Sequence, residues 1–316
     1  MMGIPGLLRT LLIVLISLQL HATETDNFTD RDKIKDATVW LNTKMENYLR
    51  ALEKKQVDCD RRKVFQPLIS ELGGALWTGI EHWSGDGDFA RETPVAKSIY
   101  RSIWYRWSNW SRGPFAFYYT PVVYRVGDAV FGDDKLGHFI QTGYEVYRAV
   151  QLKKKNEIAD DRNLLAKTMD WFFGVTALIQ SIDAEGSELI GKLGNYQEAG
   201  AWGMTAAGVY SYADIASNDD GFRFWNDLVD GPQPIFRCEN NRWKFSGSFR
   251  FQDYISPAWD EAYNCSDFKS NIAPLIEEEI KKTGISCPIS KSVCRDLSAR
   301  LGAKAKWLLS PRCRGD

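Results

Sequence analysis

Apolar residues recur with helical spacing through most of the first 230 positions. The predicted helices cover residues 30–56, 65–83 with an interruption at Gly73–Gly74, 94–110, 133–150, 161–182 and 200–215. Residues 161–182 are apolar over four turns, and residues 200–215 are rich in glycine and alanine, which let a neighbouring helix approach closely. Both segments are therefore predicted to be buried helices.

The pattern changes after Pro232. Residues 242–251 alternate aromatic side chains with polar or small ones, which is the period of a strand, and residues 235–237 predict a second short strand. Two further helices are predicted over residues 272–282 and 289–309. The expected fold is mainly α. A compact multi-helix bundle forms a helical domain over residues 23–231, and a small disulfide-stapled α+β appendix covers residues 232–316.

The N-terminus predicts export. Arg9 precedes an apolar run over residues 10–20, and Ala22 is a suitable last residue before cleavage. The run is shorter than the roughly 20 apolar residues that a spanning helix needs, and no cysteine follows it for lipid attachment. Residues 1–22 are thus predicted to be a signal peptide, and the mature protein is expected to be periplasmic or secreted.

Cysteine usage agrees with export. All six cysteines follow the predicted cleavage site, and an even count in an exported chain favours disulfides, with fifteen possible pairings. No Cys-x-x-Cys pair occurs, so a thiolate zinc site or a redox motif is not expected. Five of the six lie after residue 237, which indicates a tail that needs covalent support. The predicted bridges are Cys238–Cys265 and one among Cys287, Cys294 and Cys313.

Charge and aromatic spacing bear on partners. The formal net charge of -1 argues against a nucleic-acid partner, which requires a clustered basic excess. Trp104, Trp107 and Trp110 are spaced at i, i+3 and i+6 among arginines, a pattern that suits a cell-wall glycan or a membrane surface. The alternative is a tryptophan face packed on the core. The sequence requires no cofactor and indicates no oligomeric state.

The helix over residues 133–150 has two distinct faces, and its polar face is the first candidate site. Asp134, His138, Gln141 and Glu145 follow one another at i, i+4, i+7 and i+11. A carboxylate one turn before His138 can fix the tautomer of the imidazole and raise its basicity. The same pair can also supply two metal ligands. The alternative is a solvated face whose first acids complement the helix dipole.

Two more clusters contain acids. Asp183 and Glu185 follow the apolar segment 161–182, where partial desolvation raises carboxyl pKa values and suits a general acid, although a plain polar exit from the core has the same appearance. Asp214 and Asn218 lie one turn apart after Ser211. Buried Asp and Asn side chains need partners, so this cluster can instead lock helices together.

These motifs resemble a family of uncharacterised bacterial envelope proteins, some of them lipoproteins. The motif Asp-Lys-x-Gly-His is complete over residues 134–138, and Ser211, Asp214, Asn218 and Gly221 match a later Ser-x-x-Asp-x-x-Ala-Asn-x-x-Gly helix. Between them the family carries Glu-x-x-Asp-Gly, where this chain has Ile182 at the glutamate position. The resemblance covers residues 133–228. It implies an envelope location and a polar centre shared by helices, without an established activity.

Two functional classes remain open. The first is a non-catalytic envelope scaffold or binding protein whose polar three-helix centre is buried. The second is an envelope-acting hydrolase, on peptidoglycan or lipid, with His138 as base or ligand held by Asp134. Its acid would be Glu185 or Glu145, and its further binding residues would be Lys135, Gln141, Asp183, Ser211, Asp214 and Asn218. No nucleophile elbow or His-Glu-x-x-His helix supports a sharper assignment.

Overall fold

The structure is a computed structural model that describes residues 27–55, 58–74, 78–85, 91–92, 99–100, 122–153, 186–200, 203–204 and 208–316. The described part is mainly helical, as predicted, with three small antiparallel sheets. Within these ranges, no helix combines the length and the apolar character needed to cross a membrane. The predicted helix over residues 161–182 and most of the one over residues 94–110 lie outside the described residues.

The first long helix, α1 (Thr38–Lys54), begins later than its periodicity suggests. A 3₁₀ turn at Arg31–Lys33 precedes it, which accounts for part of the predicted span. Its buried stripe is Leu41, Met45, Leu49 and Leu52, whereas Val39 is 77% exposed. The stripe follows the spacings of four and three residues that place side chains on one face of a helix.

The second predicted helix divides at its glycines. Helix α2 (Arg62–Glu71) ends just before Gly73–Gly74, and a 3₁₀ turn forms at Glu81–Gly85. The chain returns on itself here, because the amides of Gly79 and Ile80 donate to the carbonyls of Gly73 and Leu72.

A small sheet that was not predicted from the sequence precedes the candidate helix. Strand β1 (Arg91–Glu92) pairs with β2 (Val122–Val126), which pairs in turn with β3 (Ala129–Gly132). The connection between β2 and β3 is a two-residue turn in which Gly127 has φ 57. In the sequence, the hairpin is indicated by Gly127-Asp128 with a short apolar run on each side.

The helices that follow this sheet form the centre of the described fold. Helix α3 covers residues 134–153 and consists of α-helix Asp134–Gly137, a π-helical turn His138–Thr142 and α-helix Gly143–Lys153. Helix α4 (Gly186–Ala199) follows, then the short strand β4 (Val209–Tyr210) and helix α5 (Tyr212–Asp227).

The predicted helix over residues 200–215 is wrong. Gly208 adopts φ 73, which is not an α-helical conformation, and Ser211 caps the start of α5 by accepting from the amide of Asp214. A serine cap of this kind satisfies an amide that has no partner inside the helix. Of the glycines in the predicted helix, Gly200 and Gly203 lie in turns and Gly208 lies at a bend before α5.

The C-terminal part contains the predicted strands and helices. Strands β5 (Phe236–Glu239) and β6 (Arg242–Phe245) form a hairpin, and β7 (Asp267–Phe268) pairs with β4. The remaining helices are α6 (Ala273–Thr283), α7 (Lys291–Leu301), α8 (Ala305–Leu308) and α9 (Pro311–Arg314). The alternation is confirmed for Trp243 and Phe245, but the strand ends before Phe249 and Phe251, which are buried outside it.

Three disulfides connect the chain, namely Cys59–Cys238, Cys265–Cys287 and Cys294–Cys313. The prediction of one bridge among the last three cysteines is confirmed, and the predicted Cys238–Cys265 pair is wrong. The hairpin lies against α1, with Lys244 3.5 Å from Glu53, and this packing brings Cys238 to Cys59. Disulfides persist in oxidising compartments, so they indicate a periplasmic or extracellular setting.

Packing does not break near residue 231 within the described ranges. The largest apolar cluster extends from Ala37 to Cys313 and joins residues from both sides of that position. The ring of Phe139 on α3, for example, contacts Phe224, Phe251, Tyr254 and Trp259. The tail is thus held by the shared core as well as by its disulfides.

Candidate functional site

Helices α3 and α5 cross at two glycines, and this crossing positions the polar centre. A Cβ added to Gly143 would lie 2.6 Å from the Cα of Gly221, and a Cβ on Gly221 would lie 2.2 Å from the Phe139 carbonyl oxygen. Any larger residue would push the helices apart. Because Asp214, Asn218 and Gly221 share one face of α5, the crossing turns both polar side chains towards α3.

His138 receives its partners from α5. Its Nε2 lies 3.1 Å from Asp214 Oδ2, and its Nδ1 lies 3.1 Å from Asn218 Oδ1. The imidazole side chain is 20% exposed, whereas the Asp214 side chain is only 3% exposed. Both ring nitrogens therefore have a protein partner at the inner end of a partly open site.

Lys135 is fully buried among carboxylates. Its Nζ lies 2.6 Å from Asp214 Oδ1, 2.8 Å from Asp134 Oδ2 and 3.1 Å from Glu261 Oε1. A buried ammonium is tolerated only where acids compensate its lost hydration. Asp214 thus joins the ammonium on one oxygen to the imidazole on the other.

Ser211 connects this centre to two more acids. Its amide donates to Glu198 Oε2 at 3.1 Å, and its hydroxyl donates to Glu261 Oε1 at 3.2 Å. Glu261 also accepts from the Tyr100 hydroxyl at 2.7 Å. Glu198 lies near the end of α4, so the centre joins three helices and the segment between β6 and β7.

Glu81 lies at the outer side of the centre. Its Oε2 accepts from the Thr78 amide at 3.0 Å, and its carboxylate packs against Gly137, where an added Cβ would lie 1.9 Å from Oε1. The glycine of the Asp-Lys-x-Gly-His motif therefore leaves the space that this carboxylate occupies.

Burial shifts the acids of the centre towards their protonated forms. Desolvation raises the pKa of Glu198 to about 8, with the Asp214 charge adding to the shift. Desolvation likewise raises the pKa of Glu81 to about 7 and that of Asp134 to about 6, the latter against the opposing effect of Lys135. At neutral pH these pKa values leave Glu198 mainly protonated, Glu81 about half protonated and Asp134 mainly ionised beside Lys135.

The His138–Asp214 pair shifts in the opposite sense. Burial alone lowers the pKa of His138, but the Asp214 carboxylate outweighs it and raises that pKa to about 9. Burial tends to raise the pKa of Asp214, but the charges of His138 and Lys135 hold it well below its usual range. The two side chains form an imidazolium–carboxylate pair at neutral pH.

The structure assembles most of the predicted site residues. Lys135, His138, Ser211, Asp214 and Asn218 meet in the centre, with Asp134 on Lys135. Gln141 has a different partner, because its Oε1 accepts from the Gly74 amide at 3.0 Å. Glu145 is half-buried two turns beyond His138. Asp183, Glu185 and the three tryptophans Trp104, Trp107 and Trp110 lie outside the described residues.

Three acids of the centre were not predicted from the sequence: Glu81, Glu198 and Glu261. Each lies in a segment without a motif, and each reaches the centre through contacts distant in sequence, such as Glu261 with Lys135. Only Glu198 offered a weak signal, as an acid at the end of an otherwise apolar helical face.

One subset of these residues has the composition of a metal site. Ligand atoms of His138, Glu198 and Asp214 all lie within 4.8 Å of one another. Among the described residues, this is the one group of three such side chains close enough to hold a metal ion. The sequence had suggested Asp134 beside His138 for that role. In the structure, Asp134 accepts from Lys135.

Comparison with known proteins gives no matching protein-family model, no matching curated protein and no matching solved structure.

Proposed function

We propose that this chain is an exported bacterial cell-envelope protein with a non-catalytic scaffold or binding role, whose helices are fixed by the buried polar centre. The observation that carries the proposal is the pairing of His138. Both of its ring nitrogens are held by α5, at 3.1 Å from Asp214 and 3.1 Å from Asn218. A histidine held in this way has no ring nitrogen left for a substrate.

The ion pairs of the centre support the same role. Lys135 and His138 on α3 share the Asp214 carboxylate of α5, so the two helices are joined by opposite charges in a desolvated setting. Removing one partner of such a group leaves the others buried and uncompensated. The centre thus favours one arrangement of the helices over alternatives.

The proposal is tested by His138→Ala, Asp214→Ala and the double variant, unfolded thermally and by urea in the presence of EDTA. Each single change should lower the free energy of unfolding by about 1–3 kcal/mol, because it leaves polar groups without partners. The double variant should lose less than the sum, since the two residues share one interaction. His82→Ala, at an exposed histidine, is the control. A melting curve of His138→Ala equal to wild type would contradict the proposal.

A second candidate function is hydrolysis of an envelope substrate, supported by Glu81. This acid lies near His138 and Asp134, is only partly buried, and has a pKa raised by desolvation to about 7, a value that suits proton transfer. Turnover of peptidoglycan fragments or lipid esters by wild type, lost in His138→Ala without a change in melting, would favour this function over the scaffold.

The proposed partner is a cell-wall glycan or a membrane surface, approached through Trp104, Trp107 and Trp110. The support is their spacing among arginines in the sequence. Co-sedimentation with purified peptidoglycan and, separately, with anionic vesicles distinguishes the two surfaces. The triple alanine variant should lose binding to the one that is used, and unchanged sedimentation would remove this assignment.

A further inference from the structure

We infer that His138, Glu198 and Asp214 form a binding site for one divalent metal ion of the zinc class. The inference goes beyond the proposed scaffold, which needs no ion. An imidazole nitrogen and two carboxylates are contributed by three different helices, α3, α4 and α5, and their ligand atoms lie within 4.8 Å of one another. Zinc ligands stand roughly 2.0–2.2 Å from the ion, so two donors of one ion lie at most about 4.4 Å apart, which small side-chain movements would satisfy here.

The amide of Asn218 prepares the histidine for such an ion. Asn218 is 1% exposed, and its Oδ1 faces His138 Nδ1 at 3.1 Å, so Nδ1 carries a proton and donates. Its own Nδ2 is buried without a partner among the described residues. The side-chain amide of Asn218 is thus oriented with its oxygen towards the ring, and its Nδ2 donates to no described residue. A carbonyl that accepts from one ring nitrogen is the usual second support of a metal-bound histidine, because it directs the other nitrogen to the ion.

The orientation of Asp214 fits the same arrangement. Its Oδ1 is held by Lys135 at 2.6 Å, which leaves Oδ2 directed at His138 Nε2 at 3.1 Å. In the metal-free protein the proton of the imidazolium lies between these two atoms, and the ion would displace it and take its place. Lys135 thus fixes the carboxylate from behind, as outer partners of metal ligands do.

The number of acids around the site also suits a bound cation. Four carboxylates, Asp134, Glu198, Asp214 and Glu261, surround the ammonium of Lys135 and the imidazole of His138, and all four are buried or nearly so. Glu81 adds a fifth acid at the outer side. Uncompensated buried carboxylates are costly. A divalent ion between Glu198 and Asp214 would offset the charge of Glu198, which has no ion pair with a described residue, and would share Asp214 with Lys135.

The donors select the class of metal. Imidazole with carboxylates suits zinc and similar first-row ions, whereas calcium and magnesium prefer oxygen ligands alone. Three protein ligands leave a further coordination position, and the 20% exposure of the His138 side chain provides a path from solvent.

The test uses the full mature protein, stripped with EDTA and dialysed. Isothermal calorimetry with Zn²⁺ should show one site, Zn²⁺ should raise the melting temperature, and Co²⁺ should give a visible absorption band that Zn²⁺ removes. Glu198→Gln should weaken Zn²⁺ binding by about 100-fold or more, since loss of an outer partner alone costs about 10–100-fold. Glu188→Gln, at a half-exposed acid on the same helix, should bind as wild type.

Absence of a Co²⁺ band and of a melting shift in wild type would overturn the inference, and so would wild-type affinity in Glu198→Gln. If that variant does not fold, the Co²⁺ and Zn²⁺ titrations of wild type decide alone. The scaffold proposal is measured in EDTA, so its failure is separate from a failure here.

Discussion

Gly143 on α3 and Gly221 on α5 touch backbone to backbone, with only 2.6 Å between the Cα of Gly221 and the place where a Cβ of Gly143 would be. This contact sets the distance between the two helices that supply Lys135, His138, Asp214 and Asn218. The geometry of the polar centre therefore depends on two residues that carry no side chain.

Gly221→Ala should destabilise the protein by about 1–3 kcal/mol, since the added methyl group would meet the Phe139 carbonyl oxygen at 2.2 Å and force the helices apart. Urea unfolding measures the loss. The shift should also disturb the His138–Asn218 bond, which histidine NMR resonances report. A stability gain, as alanine gives in an unconstrained helix, would contradict the close crossing.

Lys135→Met should lower the free energy of unfolding by about 3–5 kcal/mol, because Asp134, Asp214 and Glu261 would remain buried without their cation. Lys244→Met is the control. Lys244 is 51% exposed and 3.5 Å from Glu53, and exposed pairs contribute only about 0–1 kcal/mol. Equal losses in the two variants would show that the centre does not depend on the ammonium.

Removing the Cys59–Cys238 disulfide should cost more than removing Cys294–Cys313. The first bridge closes a separation of 179 residues and the second one of 19, so chain entropy predicts losses of about 5 and about 3 kcal/mol. Paired Cys→Ser variants, compared by urea unfolding, check the order. A larger loss at the shorter loop would mean that native packing outweighs loop entropy.

Asp220→Asn should stabilise the protein at pH 8 but not at pH 4. The Asp220 carboxylate accepts from Trp259 Nε1 at 2.9 Å, and burial raises its pKa to about 7, against the opposing charge of Arg223. The folded state then binds more protons than the unfolded state, so wild-type stability falls as pH rises from about 4 to about 7. Asparagine keeps the acceptor and cannot ionise.

The gain from Asp220→Asn should therefore grow across that window and level off above pH 7, at roughly 2–4 kcal/mol. Thermal melts at several pH values measure it. Asp253→Asn, at a side chain that is 50% exposed, is the control and should show no such growth. A gain that is the same at pH 4 and pH 8 would rule out burial of the charge as its cause.

The sequence by itself determined the mainly helical class, the terminal hairpin and half of the polar centre. Asp134 and His138 are one turn apart on α3, and Ser211, Asp214 and Asn218 begin α5, so their spacing along each helix was readable. The 3.6-residue period relates neighbours within one helix, and that relation survives any tertiary arrangement.

Only the tertiary structure decided which of these residues meet. The sequence paired Asp134 with His138, whereas the fold gives His138 its partners from α5 and assigns Asp134 to Lys135. Glu198 and Glu261 bond Ser211 although they lie 13 and 50 residues from it in the sequence. Cys238 pairs with Cys59 and not with Cys265. No local period encodes such contacts. They follow first from the close crossing of α3 and α5. They follow also from the cost of burying a charge, because a buried charge is tolerated only where an opposite charge lies beside it.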